Sequence, residues 1–264
     1  MLRSMYSGIS GMRGFQTKLD VIGNNIANVN TAGFKKGRMT FQDMMSQTSQ
    51  GAQAAEGQRG GVNPIQVGLG SQIGSIDNVH TQGFLQSTGR GLDLAIEGDG
   101  FFVVNGGEGD KYTRTGNFYL DDNGDIVDEN GNYLLQEGNN IQINIPGDAQ
   151  SFSVAENGIV NYVDAGGNTV EAGRIRLVNF ANPEGLEKVG GNLYHASANS
   201  GEPVDGVPGE EGLGSLKPGT LEMSNVELAE EFTEMIVSQR GFQANTRIIT
   251  TSDEILQELV NLKR

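Results

Sequence analysis

The stretch that decides the fold is residues 222–262, EMSNVELAEEFTEMIVSQRGFQANTRIITTSDEILQELVNL. Its apolar side chains recur every seven residues, at Leu228, Met235, Phe242, Ile249 and Leu256, with Phe232 and Val260 widening the stripe at its ends. This spacing predicts one long amphipathic helix. Ser224 and Glu227 have the spacing of a capping box, with Met223 and Leu228 at the staple positions, so we expect a helix from Asn225 to about Leu262. At about 57 Å it is longer than a small domain is wide.

The opposite end of the chain predicts a second amphipathic helix. Its apolar residues fall at steps of three and four, at Leu2, Met5, Ile9, Met12, Phe15, Leu19, Ile22, Ile26 and Val29. Four glycines interrupt this helix, at Gly8, Gly11, Gly14 and Gly23, and each costs about 1 kcal/mol relative to alanine. We therefore expect the segment to need a partner before it folds.

Opposite charges indicate that the two helices pair with each other. Residues 1–40 contain six basic residues and one acid, whereas residues 221–264 contain eight acids and four bases. Antiparallel or bundled pairing follows if these charges attract. The alternative is that each set is only the solvated face of an amphipathic helix, because exposed ion pairs contribute little.

The middle of the chain reads as short strands joined by tight turns. Residues 92–104, LDLAIEGDGFFVV, are two apolar runs around Gly98-Asp99-Gly100, and further turns are predicted at Asn123-Gly124 and Asn130-Gly131. Hairpins are the expected outcome. Strand-like runs continue at Ile141–Ile145, Ser151–Val154, Ile159–Val163 and Arg174–Phe180. Their regular spacing predicts an all-β barrel or sandwich.

The predicted fold class is therefore α+β, with long N- and C-terminal amphipathic helices as a coiled-coil-like pair and an all-β central domain. Gly-, Ser-, Gln- and Pro-rich flanks around Ser46–Gly74 and Ser200–Gly219 look like extended connectors. The expected boundaries are an N-terminal helix at 1–33, a connector at 34–75, a β-rich domain at 76–200, a return connector at 201–221 and a C-terminal helix at 222–264.

Composition argues against several kinds of function. The net charge of −15 argues against nucleic acid binding, and the chain has no cysteine for a disulfide or thiolate zinc site. No apolar run reaches membrane-spanning length, and residues 1–15 do not read as a cleaved signal peptide. Counting a calcium loop from Asp121 places Ile126 and Asn132 where glycine and glutamate are needed. We predict no enzyme activity, cofactor or metal site.

Three runs of sequence carry a resemblance that covers nearly the whole chain: Leu19–Gly37, Gly89–Phe102 and Glu222–Leu262. They are similar to the bacterial flagellar axial proteins, the family of rod and hook subunits. The residues that match the N-terminal signature are Asn24, Asn25, Asn28, Thr31, Gly33 and Phe34. Independently of the family, Asn side chains suit a fraying helix end, Gly33 permits the positive φ that ends it, and Phe34 suits an anchor. The alternative reading is an ordinary helix end within one subunit.

The resemblance implies a structural subunit that polymerises with itself into a helical tube. The implied partners are the distal rod protein, the hook cap, the hook-filament junction proteins and the flagellar export apparatus. The implied location is the extracellular flagellum, reached without a cleaved signal peptide. The assembly interface predicted from the stripes and the signature consists of Leu2, Met5, Ile9, Met12, Leu19, Ile22, Ile26, Asn24, Asn25, Asn28, Gly33 and Phe34, with Leu228, Phe232, Met235, Phe242, Ile249, Leu256 and Val260.

Within the family, the Gly89–Phe102 run and the ending ELVNLKR look more hook-like, so we expect a hook subunit acting as a flexible joint. The alternative is a distal rod subunit, a rigid drive shaft, which the short chain and the Ser46–Gly74 connector favour. Outside the family, a secreted β-rich adhesin and a glycan hydrolase with paired carboxylates stay open as less favoured alternatives.

Overall fold

The chain divides into two units that are interleaved along the sequence. A computed structural model describes residues 2–54, 60–107, 109–138, 141–210 and 212–262, with no side-chain placement for Leu2. The first unit, here called the helical unit, comprises Met1–Ala27, Gly37–Asp77 and Glu227–Arg264. The second, the β-rich unit, comprises Asn28–Lys36 and Asn78–Val226. The predicted α+β class is confirmed.

Two long helices, one near each terminus, dominate the helical unit. Helix α1 spans Leu2–Ala27 and helix α2 spans Leu228–Leu262. At 1.5 Å per residue these are about 39 and 52 Å long. Neither helix, within the described residues, is long and apolar enough to cross a membrane.

Helix α2 begins later than its sequence predicts. The Ser224 hydroxyl accepts a hydrogen bond from the Val226 N–H at 3.2 Å, and the first helical bond runs from the Glu231 N–H to the Glu227 carbonyl. The capping-box prediction at Ser224 is therefore wrong. The helix starts later because tertiary hydrogen bonds hold Asn225 outside it. The Asn225 side chain accepts a hydrogen bond from the Lys36 N–H at 2.8 Å and donates one to the Val79 carbonyl at 2.8 Å.

The segment predicted as an extended connector contains four strands. They are β1 (Gly37–Asp43), β2 (Ser46–Gln50), β3 (Ile65–Gly68) and β4 (Ser71–Asn78). Strand β1 pairs with β4, and β2 pairs with β3 in antiparallel register from Ser46 opposite Gly68. Every residue of β2 and β3 is exposed.

The β-rich unit is built from short antiparallel strands. They are β5 (Leu85–Ser87), β6 (Leu94–Glu97), β7 (Phe101–Asn105), β8 (Asp110–Thr113), β9 (Tyr119–Leu120), β10 (Ile126–Val127), β11 (Tyr133–Leu134), β12 (Ser151–Val154), β13 (Ile159–Val163), β14 (Thr169–Arg174), β15 (Leu177–Asn179), β16 (Glu187–Gly190), β17 (Leu193–His195), β18 (Val204–Gly206), β19 (Ser215–Pro218) and β20 (Thr220–Glu222). A short 3-10 helix lies at Pro183–Gly185. The return connector predicted at 201–221 thus contains β18, β19 and most of β20.

Nine of these strands form one sheet in the order β16-β17-β8-β7-β11-β10-β9, with β15 also paired to β7 and β18 paired to β15. Strands β12-β13-β14 form a second sheet, and β19-β6 and β20-β5 form two pairs. Side chains from the large sheet, the three-stranded sheet and the β19-β6 pair meet in one core, which includes Leu94, Phe102, Val160, Leu177 and Leu216.

The turn chemistry is confirmed in part. Gly124 and Gly131 both have positive φ, at 85° and 80°, and each lies in a hairpin turn between paired strands. The hairpin expected around Gly98-Asp99-Gly100 is wrong, because β6 pairs with β19 while β7 pairs with β8, β11 and β15. Gly98 and Gly100 adopt φ values of 118° and 134°, and this backbone carries the chain from one sheet into another.

Candidate assembly interface

Helices α1 and α2 pack against each other in the helical unit and run antiparallel. Gly8 lies next to Ile249, Gly11 next to Asn245, and Phe15 next to Gly241, so rising numbers on α1 meet falling numbers on α2. The Thr246 hydroxyl also donates to the Met12 sulfur at 3.8 Å. The pairing expected from the opposite charges of the two ends is present within one chain.

Most of the predicted α1 stripe lies at least partly buried. Ile22 is buried, and the residues that are half-buried are Met5, Ile9, Met12, Leu19 and Ile26. The side chain of Leu2 lies outside the described residues. On α2 the central stripe positions, Met235, Phe242, Ile249 and Leu256, are half-buried, whereas Leu228, Phe232 and Val260 are exposed.

The glycines of α1 permit close packing between the helices. A Cβ atom on Gly11 would lie 3.0 Å from the Asn245 amide, and one on Gly241 of α2 would lie 2.5 Å from the Phe15 ring. Real Cβ atoms essentially never approach neighbours at 2.5 Å, so a side chain at Gly241 requires the Phe15 ring to move. Sequence reasoning treated the α1 glycines only as helix-weakening and missed this role. The spacing of three between Gly8 and Gly11 was the available signal, whereas Gly14 faces the Phe41 ring of β1.

Polar contacts tie the same two helices together near the end of α1. The Lys18 ammonium lies 2.5 Å from the Glu234 carboxylate. Asn25 donates to the Glu231 carboxylate at 3.2 Å, and both of these side chains are buried. The Asn25 amide also makes two 2.9 Å hydrogen bonds to the backbone of Gly37, where β1 starts. Asn25 therefore fixes the chain direction between α1 and β1.

A second apolar face of α2 is not covered by any of the residues that the structure describes. Val237, Ile248, Ile255, Leu259 and Leu262 are all exposed, and their spacing of eleven, seven, four and three places them on one side of the helix. We call this set the outer face of α2. Exposed apolar faces of this kind mark interaction sites in soluble proteins. The outer face, and not only the predicted stripe, is available to another molecule.

The signature begins with Asn24 and Asn25 inside α1, and its remaining residues, 28–34, belong to the β-rich unit. Asn24 is exposed, whereas the Asn28 side chain accepts from the Thr31 hydroxyl at 3.2 Å. Gly33 adopts the predicted positive φ, at 68°, and its N–H donates to the Glu222 carbonyl at 2.8 Å. Phe34 is buried, with the Lys188 ammonium 4.9 Å above its ring. The segment is thus anchored within its own chain.

A buried ionic cluster lies directly behind this segment. The Lys35 ammonium is 2.6 Å from the Glu222 carboxylate and donates to the Thr81 carbonyl at 2.8 Å, and neither charged side chain of the pair is exposed. Glu222 also accepts from the Gly83 N–H at 2.9 Å, and Arg114 lies 3.6 Å from its second oxygen. Burial lowers the pKa of Lys35 while the neighbouring Glu222 raises it, and the net direction is downward. Sequence reasoning missed this cluster.

His80 lies beside the cluster and is neutral at pH 7, chiefly because it is buried. Its ring packs against Phe101 and Tyr194, with centroids 5.6 and 5.5 Å away. Burial, followed by the positive charges of Lys35, Arg114 and Lys188, lowers the pKa of His80 to about 4. Burial also raises the pKa of Tyr194 to about 12. The buried cluster thus lies next to a histidine that is uncharged at neutral pH.

Family models match three parts of the chain. The flagella basal body rod protein model matches residues 5–35, the flagellar hook protein FlgE/F/G D1 domain matches 95–162, and the flagellar basal body rod FlgEFG protein C-terminal model matches 217–262. These segments include α1 with the signature segment, the core strands, and α2. The chain belongs to the bacterial flagellar axial family of rod and hook proteins.

Individual relatives align with the chain from end to end. The flagellar basal-body rod protein FlgG of Bacillus subtilis (strain 168) is 61% identical over 265 residues, covering all of both chains. That of Borreliella burgdorferi is 41% identical over 270 residues, again covering all of both. The flagellar hook protein FlgE of Borreliella burgdorferi is 30% identical across an alignment of 441 residues that also covers both chains.

These identities favour the rod alternative over the hook assignment expected from the Gly89–Phe102 run. The physical reason is visible in the fold. That run forms β6, the turn and the start of β7, which supply buried core side chains, and the matching domain description names FlgE, FlgF and FlgG together. A core motif shared across the family does not separate its members.

Proposed function

We propose that the chain is a subunit of the flagellar distal rod, a straight and rigid shaft that transmits torque. The observation that carries this proposal is the end-to-end identity of 61% and 41% to relatives named as rod proteins. Family membership supports a structural role over the adhesin and hydrolase alternatives. A hook subunit is the second candidate, supported by the 30% identity to a hook protein.

The proposed mechanism is polymerisation through the terminal helices. The outer face of α2 leaves large apolar side chains in water, and burying one such side chain contributes about 1.5–3 kcal/mol. Covering this face with another copy of the chain uses a head-to-tail contact that does not close, which produces an open helical tube. The other proposed partners are the axial proteins that adjoin the two ends of this tube and the export apparatus that delivers the subunit.

A charge introduced on the outer face by substitution tests this mechanism. Leu259→Asp places a carboxylate where an apolar contact is proposed, so tubes should fail to form while the subunit stays folded. Asn261→Asp adds the same charge two residues away on another side of the helix and should leave assembly intact. Electron microscopy of purified protein at rising concentration measures the outcome. Normal tubes from Leu259→Asp would exclude the outer face as a polymer contact.

Localisation separates the two candidates. Labelling of the protein in isolated flagellar basal structures should mark the straight shaft and not the curved segment. Label confined to the curved segment would replace the rod proposal with the hook alternative.

A further inference from the structure

A groove lies beside the first half of α1 in the helical unit, between α1 and the segment that leads into β4. Its volume is about 560 Å³, within the range of pockets that hold apolar groups. Tyr6 and Ile9 of α1 line one wall, and Leu69 and Ile73 line the other. Tyr6 is 69% exposed, so part of this apolar surface faces water. We call it the α1 groove.

The α1 groove is positively charged. Arg3 and Arg13 both line it and are exposed, and they lie about 15 Å apart along the helix. No acidic side chain is present among the described residues that line the groove. An apolar surface flanked by two cations suits a helix that presents apolar side chains together with carboxylates.

The last turns of α2 form such a helix. Residues 254–262, here called the α2 end, contain two acids and no base. The outer-face residues of the α2 end, all exposed, are Ile255, Leu259 and Leu262. Glu254 and Glu258 are exposed too, and their spacing of four places them along one side of this apolar face. The α2 end therefore complements the α1 groove in both polarity and charge.

The α2 end of one chain does not reach the α1 groove of the same chain. The two helices are paired with Gly8 next to Ile249 and Gly11 next to Asn245. In this antiparallel register the α2 end lies level with Arg3 or beyond it, and a continuous helix does not turn back alongside its own groove. An α2 end that occupies the groove must come from a second copy.

We propose that the α1 groove receives the α2 end of a second copy of the chain. The exposed apolar side chains of the α2 end cover the apolar walls of the groove, while Glu254 and Glu258 approach Arg3 and Arg13. This inference rests on the proposed self-assembly and deepens it, because it names the surface that covers the outer face of α2. Two unlike surfaces meet, so every copy keeps a groove or an end available for the next copy.

Reversal of the charges tests this contact on the full chain. The groove variant, Arg3→Glu with Arg13→Glu, and the end variant, Glu254→Lys with Glu258→Lys, should each raise the critical concentration for tubes about tenfold at low salt, because repulsion replaces attraction. A chain with all four substitutions should regain assembly. Sedimentation and electron microscopy measure tube formation, and circular dichroism verifies that each variant is folded.

Two results of this experiment would overturn the inference. One is a groove variant that assembles like the wild type. The other is a chain with all four substitutions that folds but does not assemble.

A matched control separates the contact from an effect of net charge. The chain with all four substitutions has the net charge of the wild type, since two charges of each sign are exchanged. The control combines the groove variant with Glu187→Lys and Glu202→Lys, which reverse two exposed acids of the β-rich unit and give the same net charge. This control should not assemble. Its assembly would show that net charge alone is responsible and would also overturn the inference.

A mixture that can form only one such contact separates this inference from the tube proposal. Leu259→Asp disables the α2 end and keeps the groove, whereas the groove variant keeps the α2 end. Neither should associate alone, and their equimolar mixture should form a dimer in analytical ultracentrifugation. A dimer in the mixture without tubes from the wild type would retain the groove contact and reject the tube proposal. Tubes from the wild type without this dimer would retain self-assembly and overturn the groove contact.

Discussion

At the scale of single residues, Gly33 combines a positive φ with close packing against backbone atoms. Its φ of 68° is costly for other residues, and a Cβ there would lie 2.8 Å from the Thr115 backbone nitrogen. Because backbone atoms do not give way as a flexible side chain does, both effects disfavour any larger residue. Gly33 lies between the end of α1 and the buried cluster. A larger residue here is therefore expected to disturb the hydrogen bond from the residue 33 N–H to the Glu222 carbonyl.

Gly33→Ala should lower the free energy of unfolding by about 2–4 kcal/mol, from the left-handed conformation plus the clash. Gly131→Ala is the matched control, because Gly131 has a φ of 80° with no atom near its added Cβ. It should lose only about 1–2 kcal/mol. Urea unfolding of the two variants measures the difference, and equal losses would contradict the packing argument.

His80 predicts a pH dependence of stability. The unfolded chain takes up a proton near pH 6.5, whereas folded His80 does so only near pH 4, so stability falls as pH decreases through that window. The contribution is about 3 kcal/mol across the window. His80→Phe keeps an aromatic ring against Phe101 and Tyr194 and removes the titration. Its urea-unfolding free energy should decrease less than that of the wild type between pH 7 and pH 4, and parallel curves would contradict the assignment.

At the scale of elements, the two helices show how weak helical segments become stable together. Helix α1 carries four glycines that lower its own helical preference, yet at Gly8 and Gly11 the side chains of α2 lie within 3.3 Å of the position of a Cβ atom. Helix α2 is longer than α1, and its outer face stays exposed when the two helices are paired. One side of α2 therefore packs against α1, and the other side is the one that we propose for assembly.

Ile249→Asp tests the inner side of this pair. Ile249 lies 3.3 Å from the Cβ position of Gly8, so a carboxylate there should cost about 2–4 kcal/mol of helix pairing. We expect reduced helical circular dichroism, faster tryptic cleavage at Arg13, and no tubes, with the strands intact. Thr250→Asp, on an exposed neighbouring position, is the control. Unchanged cleavage of α1 in Ile249→Asp would contradict this pairing.

At the scale of the whole molecule, the two units are not contiguous stretches of sequence. The β-rich unit takes residues 28–36 from the segment after α1, and it includes Glu222, which lies just before α2. The buried ion pair between Lys35 and Glu222 links these two segments of the chain. Breaking such a pair by removing one partner costs about 3–5 kcal/mol, because the other charge stays buried.

Two fragments test these boundaries. Residues 28–226 contain both Lys35 and Glu222 and should unfold cooperatively with a strand-dominated circular dichroism spectrum. Residues 31–221 lack Glu222 and should be less stable by about 3–5 kcal/mol. Glu222→Gln within the longer fragment should account for part of that loss, since it keeps the chain length constant. Equal urea midpoints for the two fragments would show that the pair does not hold the unit together.

The sequence by itself determined the features that depend on local spacing. Apolar residues spaced three, four and seven positions apart predicted both helices, and Asn-Gly pairs predicted the turns at Gly124 and Gly131. Both signals are local, because helix periodicity and turn preference depend on residues that are near neighbours in the sequence. Only the tertiary structure decided where α2 begins, what the α1 glycines do, and that Lys35 meets Glu222. Those two residues are 187 positions apart, and Asn225 is held by Lys36 and Val79. No local pattern encodes such contacts, because the residues that make them are far apart in the sequence and meet only in the folded chain.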